Sequence, residues 1–248
     1  MDSMKYFYEV FCGMPRAGPG DSQSTRRAFG YLKNLPAKPM MLDIGCGQGM
    51  QTIELAKLTE GTITALDSYQ SFLDILLKNA RKQGVEKRIL PKNQSMLEMD
   101  FENDSFDVIW SEGALYIMGF QNGLRKCRQL LKSHGYLVVT EAVLFTTSIP
   151  PPLQQFWDKM YPVIKDVSQN LALIQSEGFR VVGHFPLPQS SWTDAYYVPM
   201  QNSIDQLKKK YHDSPAALKV FTECEEEIGM YRQYSDYYGY EFFIMQKR

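Results

Sequence analysis

The stretch Met40–Met50 reads MMLDIGCGQGM, an apolar run that meets an aspartate and then breaks into alternating glycines. Met40–Ile44 is short and apolar, which predicts a buried strand. Gly45, Gly47 and Gly49 demand a turn, and Ile53, Ala56 and Leu58 beyond them fall on a helix. A strand, a glycine turn and a helix in that order place unpaired N–H groups and a positive partial charge at the strand's end. Glycines let a ligand approach that backbone closely. Many folds bind phosphate with this device, so the spacing has to decide. A dinucleotide turn follows G-x-G-x-x-G, and position 50 holds Met50. A phosphate loop continues into Gly-Lys-Ser or Gly-Lys-Thr, which this stretch lacks. Asp43, two residues before Gly45, repels a pyrophosphate and suits a ligand with an amino group or a cationic centre.

Outward from the turn, strands and helices alternate. Thr62–Leu66 predicts a second strand, and Ser68–Gln83 a helix with Phe72, Leu73, Leu76, Leu77 and Ala80 on one face and Gly84 as its stop. A weak third strand is read near Arg88–Lys92 and a fourth at Phe106–Trp110. Leu124, Cys127, Leu130 and Leu131 keep helical spacing, and His134 and Gly135 are expected to turn the chain into a fifth strand, Tyr136–Thr140. Upstream, Tyr6–Val10 opens a short helix, Cys12–Ser22 is a loop, and Asp21 or Ser22 caps a helix through Arg26, Ala28 and Leu32. After Phe145 the pattern predicts helices at Leu153–Val163 and Ser168–Glu177 and a strand at Phe179–Phe185. A largely helical Asp194–Tyr231 follows, broken by Pro199 and Pro215, and then a last strand at Tyr240–Gln246.

The expected fold is therefore α/β: a doubly wound, mainly parallel, seven-stranded sheet with a helical cap inserted near the C-terminus. One domain, 1–248, is expected, with a ligand-binding core at 36–145 and substrate-side helices and the last two strands at 146–248.

Composition narrows the class. Of 248 residues 44% are hydrophobic and 22% charged, which is enough for a real core. A formal net charge of -1 gives no global attraction to nucleic acid or to an anionic membrane. Cys12, Cys46, Cys127 and Cys224 are far apart and form no C-x-x-C pair, so neither a zinc site nor a disulfide framework is expected, and no metal is assigned. The N-terminus has no signal-peptide pattern and no stretch is long enough to span a bilayer. A soluble cytoplasmic protein is the expectation.

Asp67 ends the second strand, 22 residues beyond Gly45. An acid at that tip accepts both hydroxyls of a ribose; a helix N-cap before Ser68 is the other reading. A ribose together with positive charge describes S-adenosylmethionine. The motifs MLDIGCGQG and TALD, with NDSFDVIWSEGALYIMGF (Asn103–Phe120) and LKSHGYLVVTE, resemble the class I S-adenosylmethionine-dependent methyltransferases over roughly Lys38 to Glu141. The chain looks most like their small-molecule branch, which includes the ubiquinone-biosynthesis type. The resemblance implies methyl transfer from S-adenosylmethionine, with S-adenosylhomocysteine as product.

The same resemblance places Gly45, Cys46 and Gly47 beside the methionine moiety with Asp43 near it, gives Asp67 the ribose, and sets Ser68 and Tyr69 around the adenine. Ser95 stands where relatives carry an acid that meets the adenine amino group, and Met96 follows with a backbone N–H and an apolar surface. Ser111 and Glu112 face the methionine end and the incoming acceptor. Glu112 is the candidate catalytic residue, orienting the acceptor or removing its proton, with an ordinary loop acid as the other reading. Glu141, at the end of the fifth strand, carries the same ambiguity. Arg16, in the loop Pro15–Gly20, belongs to a lid and meets a carboxylate, or else to a plain surface connection. Trp157, Trp192 and Tyr196, with Tyr197, line the substrate pocket or pack a core. His134 reads as a turn residue, His184 as packing or capping a strand, and Glu223–Glu227 as a solvated helix face. A small-molecule acceptor is expected, with no nucleic acid partner. Two further readings stand beside it: methylation of protein or nucleic acid, and a non-catalytic binder of S-adenosylmethionine.

Overall fold

A computed structural model describes residues 2–248. Two short helices come first, α1 (Asp2–Cys12) and α2 (Ser22–Phe29), the second capped by the Asp21 carboxylate on Ser24 N–H at 2.7 Å. The sheet begins with β1 (Met40–Ile44), α3 (Met50–Leu58), β2 (Thr62–Asp67), α4 (Gln70–Lys82) and β3 (Ile89–Asn93). It continues with β4 (Phe106–Glu112), α5 (Phe120–Leu130) and β5 (Leu131–Leu144). Then come α6 (Pro151–Met160), β6 (Lys165–Asp166), α7 (Val167–Ser176) and β7 (Phe179–Pro186). The cap is α8 (Gln189–Trp192), a π turn (Thr193–Tyr197), α9 (Val198–Lys210) and α10 (Pro215–Tyr234), and β8 (Tyr238–Lys247) closes the chain.

The strand order is β3-β2-β1-β4-β5-β8-β7, with β8 antiparallel to both neighbours and the first five strands parallel. The alternation of β1 explains the layering: Met41 packs into the core on one face and Leu42 into the core on the other. A third apolar cluster joins α1 to the cap helices over the C-terminal edge of the sheet. Ligands of open α/β sheets bind along that edge, so α1 and the cap roof the region where the glycine turn lies. Among the described residues no helix is long and apolar enough to cross a membrane.

The mainly parallel sheet and the cap between the last two strands are as expected, and three local readings change. β5 starts directly at the end of α5, and its ladder to β4 jumps from Phe106↔Leu131 to Val108↔Tyr136. His134, with φ 62, therefore sits in a bulge within one strand, not in a turn before it. β6 adds a two-residue pairing to the seven strands, and its Asp166 then caps α7 on Gln169 N–H at 2.8 Å. Pro199 does not break the cap helix. It lies in the first turn of α9, where a missing N–H is harmless, and the preceding backbone widens into the π turn.

Candidate active site

β1 carries Asp43 to the sheet edge and the chain must then reverse sharply. The N–H groups of Gly45 and Cys46 both donate to the Leu66 carbonyl, at 2.8 and 3.0 Å. Gly45 has φ 69, and a Cβ there would collide with Ala114, so the residue is fixed twice over. Gly47 N–H donates to Asp67 Oδ2 and Tyr69 N–H to Oδ1, both at 2.9 Å. Asp67 thus joins the turn to the start of α4, and each carboxylate oxygen keeps a further lone pair for a ligand hydroxyl. Burial raises its carboxyl, against the pull of these backbone donors. Asp43 lies beneath the turn, fully buried, with Thr52 Oγ1 donating to Oδ2 at 2.5 Å. Burial pushes its carboxyl up to about 7.

The cleft above the turn brings most of the expected residues together. Gly45, Cys46, Gly47, Asp67, Ser68, Ser95, Met96, Glu112 and Arg16 all line it. Ser95 caps the short turn that begins at Met96, accepting from Leu97 N–H at 3.2 Å. Ser111 does not reach the cleft. Strand alternation turns it away from Glu112, and its hydroxyl donates to the Ile44 carbonyl at 2.9 Å, tying β4 to β1. α1 supplies Phe7, Tyr8 and Phe11 to the cleft wall, and Tyr8 stacks on Tyr69 with centroids 4.0 Å apart. These three were not singled out in the sequence. The run YFYEVF shows an aromatic helix face, but nothing local says that it folds back over residues 60 positions away.

The loop after α1 closes the cleft. Arg16 Nη1 pairs with Glu112 Oε2 at 3.1 Å, and the two side chains are only 8% and 3% exposed. Glu112 Oε1 accepts from Thr25 Oγ1 at 2.8 Å and from Trp110 Nε1 at 2.9 Å. With three donors on it, the Glu112 carboxylate anchors the lid, which leaves little capacity for removing a proton. Ala17 rests over Gly47, Gly20 N–H donates to the Ser191 carbonyl at 3.3 Å, and the Ser191 hydroxyl donates to Asp21. Cap, lid and β4 are thereby locked to one another. Arg16 Nη2 is buried and has no partner among the described residues.

The other expected residues lie deeper. Trp157, Trp192 and Tyr196 are buried in the cap core and do not line the cleft. Trp192 stacks on Tyr231 at 4.7 Å, and Trp157 meets Tyr238 edge-on at 5.0 Å. The acidic run of α10 is not one solvated face. Glu223 and Glu226 are exposed and Glu225 pairs with Lys208 at 2.6 Å, but Glu227 turns inward and accepts from Tyr197 Oη at 3.0 Å, with its carboxyl raised by burial. Helical periodicity separates Glu227 from its neighbours by about 100° per residue, and the aromatic cap core lies on its side. Glu141 is buried to 3% exposure, and burial pushes its carboxyl up to about 8. His184 pairs with Glu241 at 2.6 Å, away from the cleft. No group of histidine, cysteine and acidic residues suited to a metal occurs among the described residues.

Residues 41–135 match the family described as a methyltransferase domain. The chain is an S-adenosylmethionine-dependent methyltransferase. Over 239 residues this methyltransferase is 24% identical to the uncharacterized methyltransferase YodH of Bacillus subtilis, covering 95% of each chain. It is 27% identical over 146 residues to the demethylmenaquinone methyltransferase of Lactobacillus johnsonii, covering 58% of this chain and 60% of the relative. Its fold is that of the S-adenosylmethionine-dependent methyltransferase of Geobacter sulfurreducens solved with S-adenosylhomocysteine, with a TM-score of 0.85, 18% identity and 98% of each chain covered. The side chains present fit the cofactor. Asp67 keeps free lone pairs beside the turn, Arg16 borders the cleft with its buried Nη2 unpartnered, and Gly45 and Gly47 carry no Cβ.

Proposed function

We propose that the protein methylates a small molecule, held between the cofactor cleft and the cap. The observation that supports this reading is the closure of the cleft: α1, the Arg16 lid and the cap roof the sheet edge from three sides. A polymer needs an open groove, and nucleic acid also needs a basic one. Glu112, Tyr116 and Ile117 line the part of the cleft built at and after the end of β4.

Bound S-adenosylmethionine supplies an electrophilic methyl group on a sulfonium. The protein contributes alignment and a dry site, and such positioning lowers a barrier by roughly 7–11 kcal/mol. Asp67 holds the ribose hydroxyls, Arg16 Nη2 meets the cofactor carboxylate, and Ser95 and Met96 border the adenine side. Asp43 acts from below by fixing the turn through Thr52. Glu112 acts through Arg16 and Thr25, so it is a positioning residue for the closed lid.

The test uses S-adenosylmethionine with a labelled methyl group and a cell extract split by size. Label is expected in the small-molecule fraction and is expected to vanish with Asp67→Ala. Label appearing only in protein or nucleic acid would overturn the small-molecule reading.

A further inference from the structure

Behind the cleft, the space under the cap has a chemistry of its own. β4 ends at Glu112, opposite Thr140, while β5 runs on to Leu144. Glu141 therefore stands over the gap beyond the end of β4, where Gly113 and Tyr116 lie. A Cβ on Gly113 would come within 3.0 Å of the Tyr240 ring, and the Tyr116 and Tyr161 rings are 5.9 Å apart. Tyr161 sits beside the Glu141 carboxylate, and Glu227 enters from α10 on the cap side. Both carboxylates act electrostatically on Tyr116 and on Tyr240, and Glu227 acts on Tyr196 as well. Tyr116, Tyr161 and Tyr240 thus gather past the end of β4, Tyr196 packs in the same aromatic cluster, and Glu227 joins it through Tyr197.

Three observations mark that space as a binding site. Glu141 Oε1 is buried with no hydrogen-bond partner among the described residues. Glu227, Tyr161 and Tyr240 are half-buried beneath the cap. Neither Glu141 nor Glu227 has a salt-bridge partner among the described residues. Lys165 is the nearby cation, and its ammonium donates to the Val163 carbonyl at 3.3 Å. A buried carboxylate oxygen with no partner is costly, and burial holds the carboxyls of both Glu141 and Glu227 above their ordinary range. Tyrosine faces attract a cation electrostatically. A neutral or anionic acceptor would leave these acids uncompensated.

We propose that this cluster of acids and tyrosines binds the methyl acceptor as a cationic amine, with Glu141 and Glu227 balancing its charge and Tyr116, Tyr161, Tyr196 and Tyr240 presenting their rings, so that the enzyme is an N-methyltransferase. The proposal rests on the methyltransferase reading and names its acceptor class. The ammonium proton passes first to Glu141 Oε1. The nitrogen lone pair then forms the N–CH3 bond, the C–S bonding pair stays on sulfur as S-adenosylhomocysteine leaves, and Glu141 releases its proton to solvent.

The test separates the amine from the cofactor. Full-length protein is first titrated with S-adenosylhomocysteine, and the loaded protein then with choline or with its uncharged carbon isostere 3,3-dimethyl-1-butanol. Choline carries no proton and accepts no methyl group, so binding is read without turnover. Choline is expected to bind at least roughly tenfold more tightly than the isostere, a charge-dependent margin of the size cation–π and ion pairing give. Glu141→Gln and Glu227→Gln are each expected to weaken choline about fivefold or more while S-adenosylhomocysteine affinity holds, which shows that the variants are folded. Equal binding of the two probes, binding of neither, or choline binding untouched by both variants would overturn the amine assignment. Absence of S-adenosylhomocysteine binding would instead remove the methyltransferase reading beneath it.

Discussion

The glycine turn after β1 and the cluster of acids and tyrosines under the cap are built by different means. At the turn, backbone does most of the work. N–H groups, a φ of 69 at Gly45 and the carboxylate of Asp67 make a surface that only certain residue types can form. Under the cap, the contacts come from side chains brought in by β5, β8, α10 and three connecting segments. A backbone site constrains the local sequence and leaves a motif. A side-chain site converges from distant positions and leaves none, although its chemistry, two acids among tyrosines, is no less specific.

That contrast is open to attack from the turn side first. Gly45→Val places a β-branched residue at positive φ and drives its Cβ into Ala114. A strained backbone and a clash cost several kcal/mol together, so loss of S-adenosylhomocysteine binding with a clear drop in melting temperature is expected. Retained binding would show that the turn is plastic and that its glycines are not required.

A smaller effect tests the lid between the two regions. Glu112→Gln keeps the shape but removes the charge that holds Arg16. A charge-assisted hydrogen bond contributes about 1.5–3 kcal/mol, so KM for S-adenosylmethionine should rise about tenfold with kcat changed far less. A fall in kcat at unchanged KM would restore Glu112 as the residue that removes a proton.

The smallest effect is on stability against pH. Burial raises Asp43 from an ordinary carboxylate value to about 7, and Glu141 to about 8. A carboxyl raised in the folded state binds its proton more tightly there than in the unfolded chain. Its stabilisation is complete below the unfolded value near 4 and is lost as pH climbs through the folded one. The ligand-free protein should therefore melt lower at pH 8.5 than at pH 5, by roughly 5 °C, and Glu141→Gln should flatten the upper part of that fall. A melting temperature constant across the range would show that both acids are better compensated than their surroundings imply.

The cofactor half was largely readable from sequence for the reason the comparison gives. Asp43, Gly45, Gly47 and Asp67 are set by local backbone demands, and the strand and helix periods put them at the strand ends and the turn, where the structure has them. Arg16 was readable as a lid residue, but its partner was not, since Arg16 and Glu112 are 96 positions apart. The resemblance sets Ser111 beside Glu112 in the cleft, but both belong to β4, and strand alternation sends successive side chains to opposite faces. Glu227 reads as solvated because Glu223, Glu225 and Glu226 make its helix polar, and only its hydrogen bond with Tyr197 shows it turned inward. Trp192 and Trp157 are conspicuous by type, yet they pack the cap core.

The most direct measurement is a calorimetric titration of S-adenosylhomocysteine into the wild-type protein and into Asp67→Ala. Asp67 joins turn to helix and offers its free lone pairs to the ribose, so losing two charged hydrogen bonds should weaken binding by about a hundredfold or more. Saturable heat for the wild type, with little or none for the variant at the same concentrations, is the expected result. Equal affinity for both proteins, or no heat from folded wild-type protein at millimolar ligand, would contradict the assignment of this cleft to the cofactor.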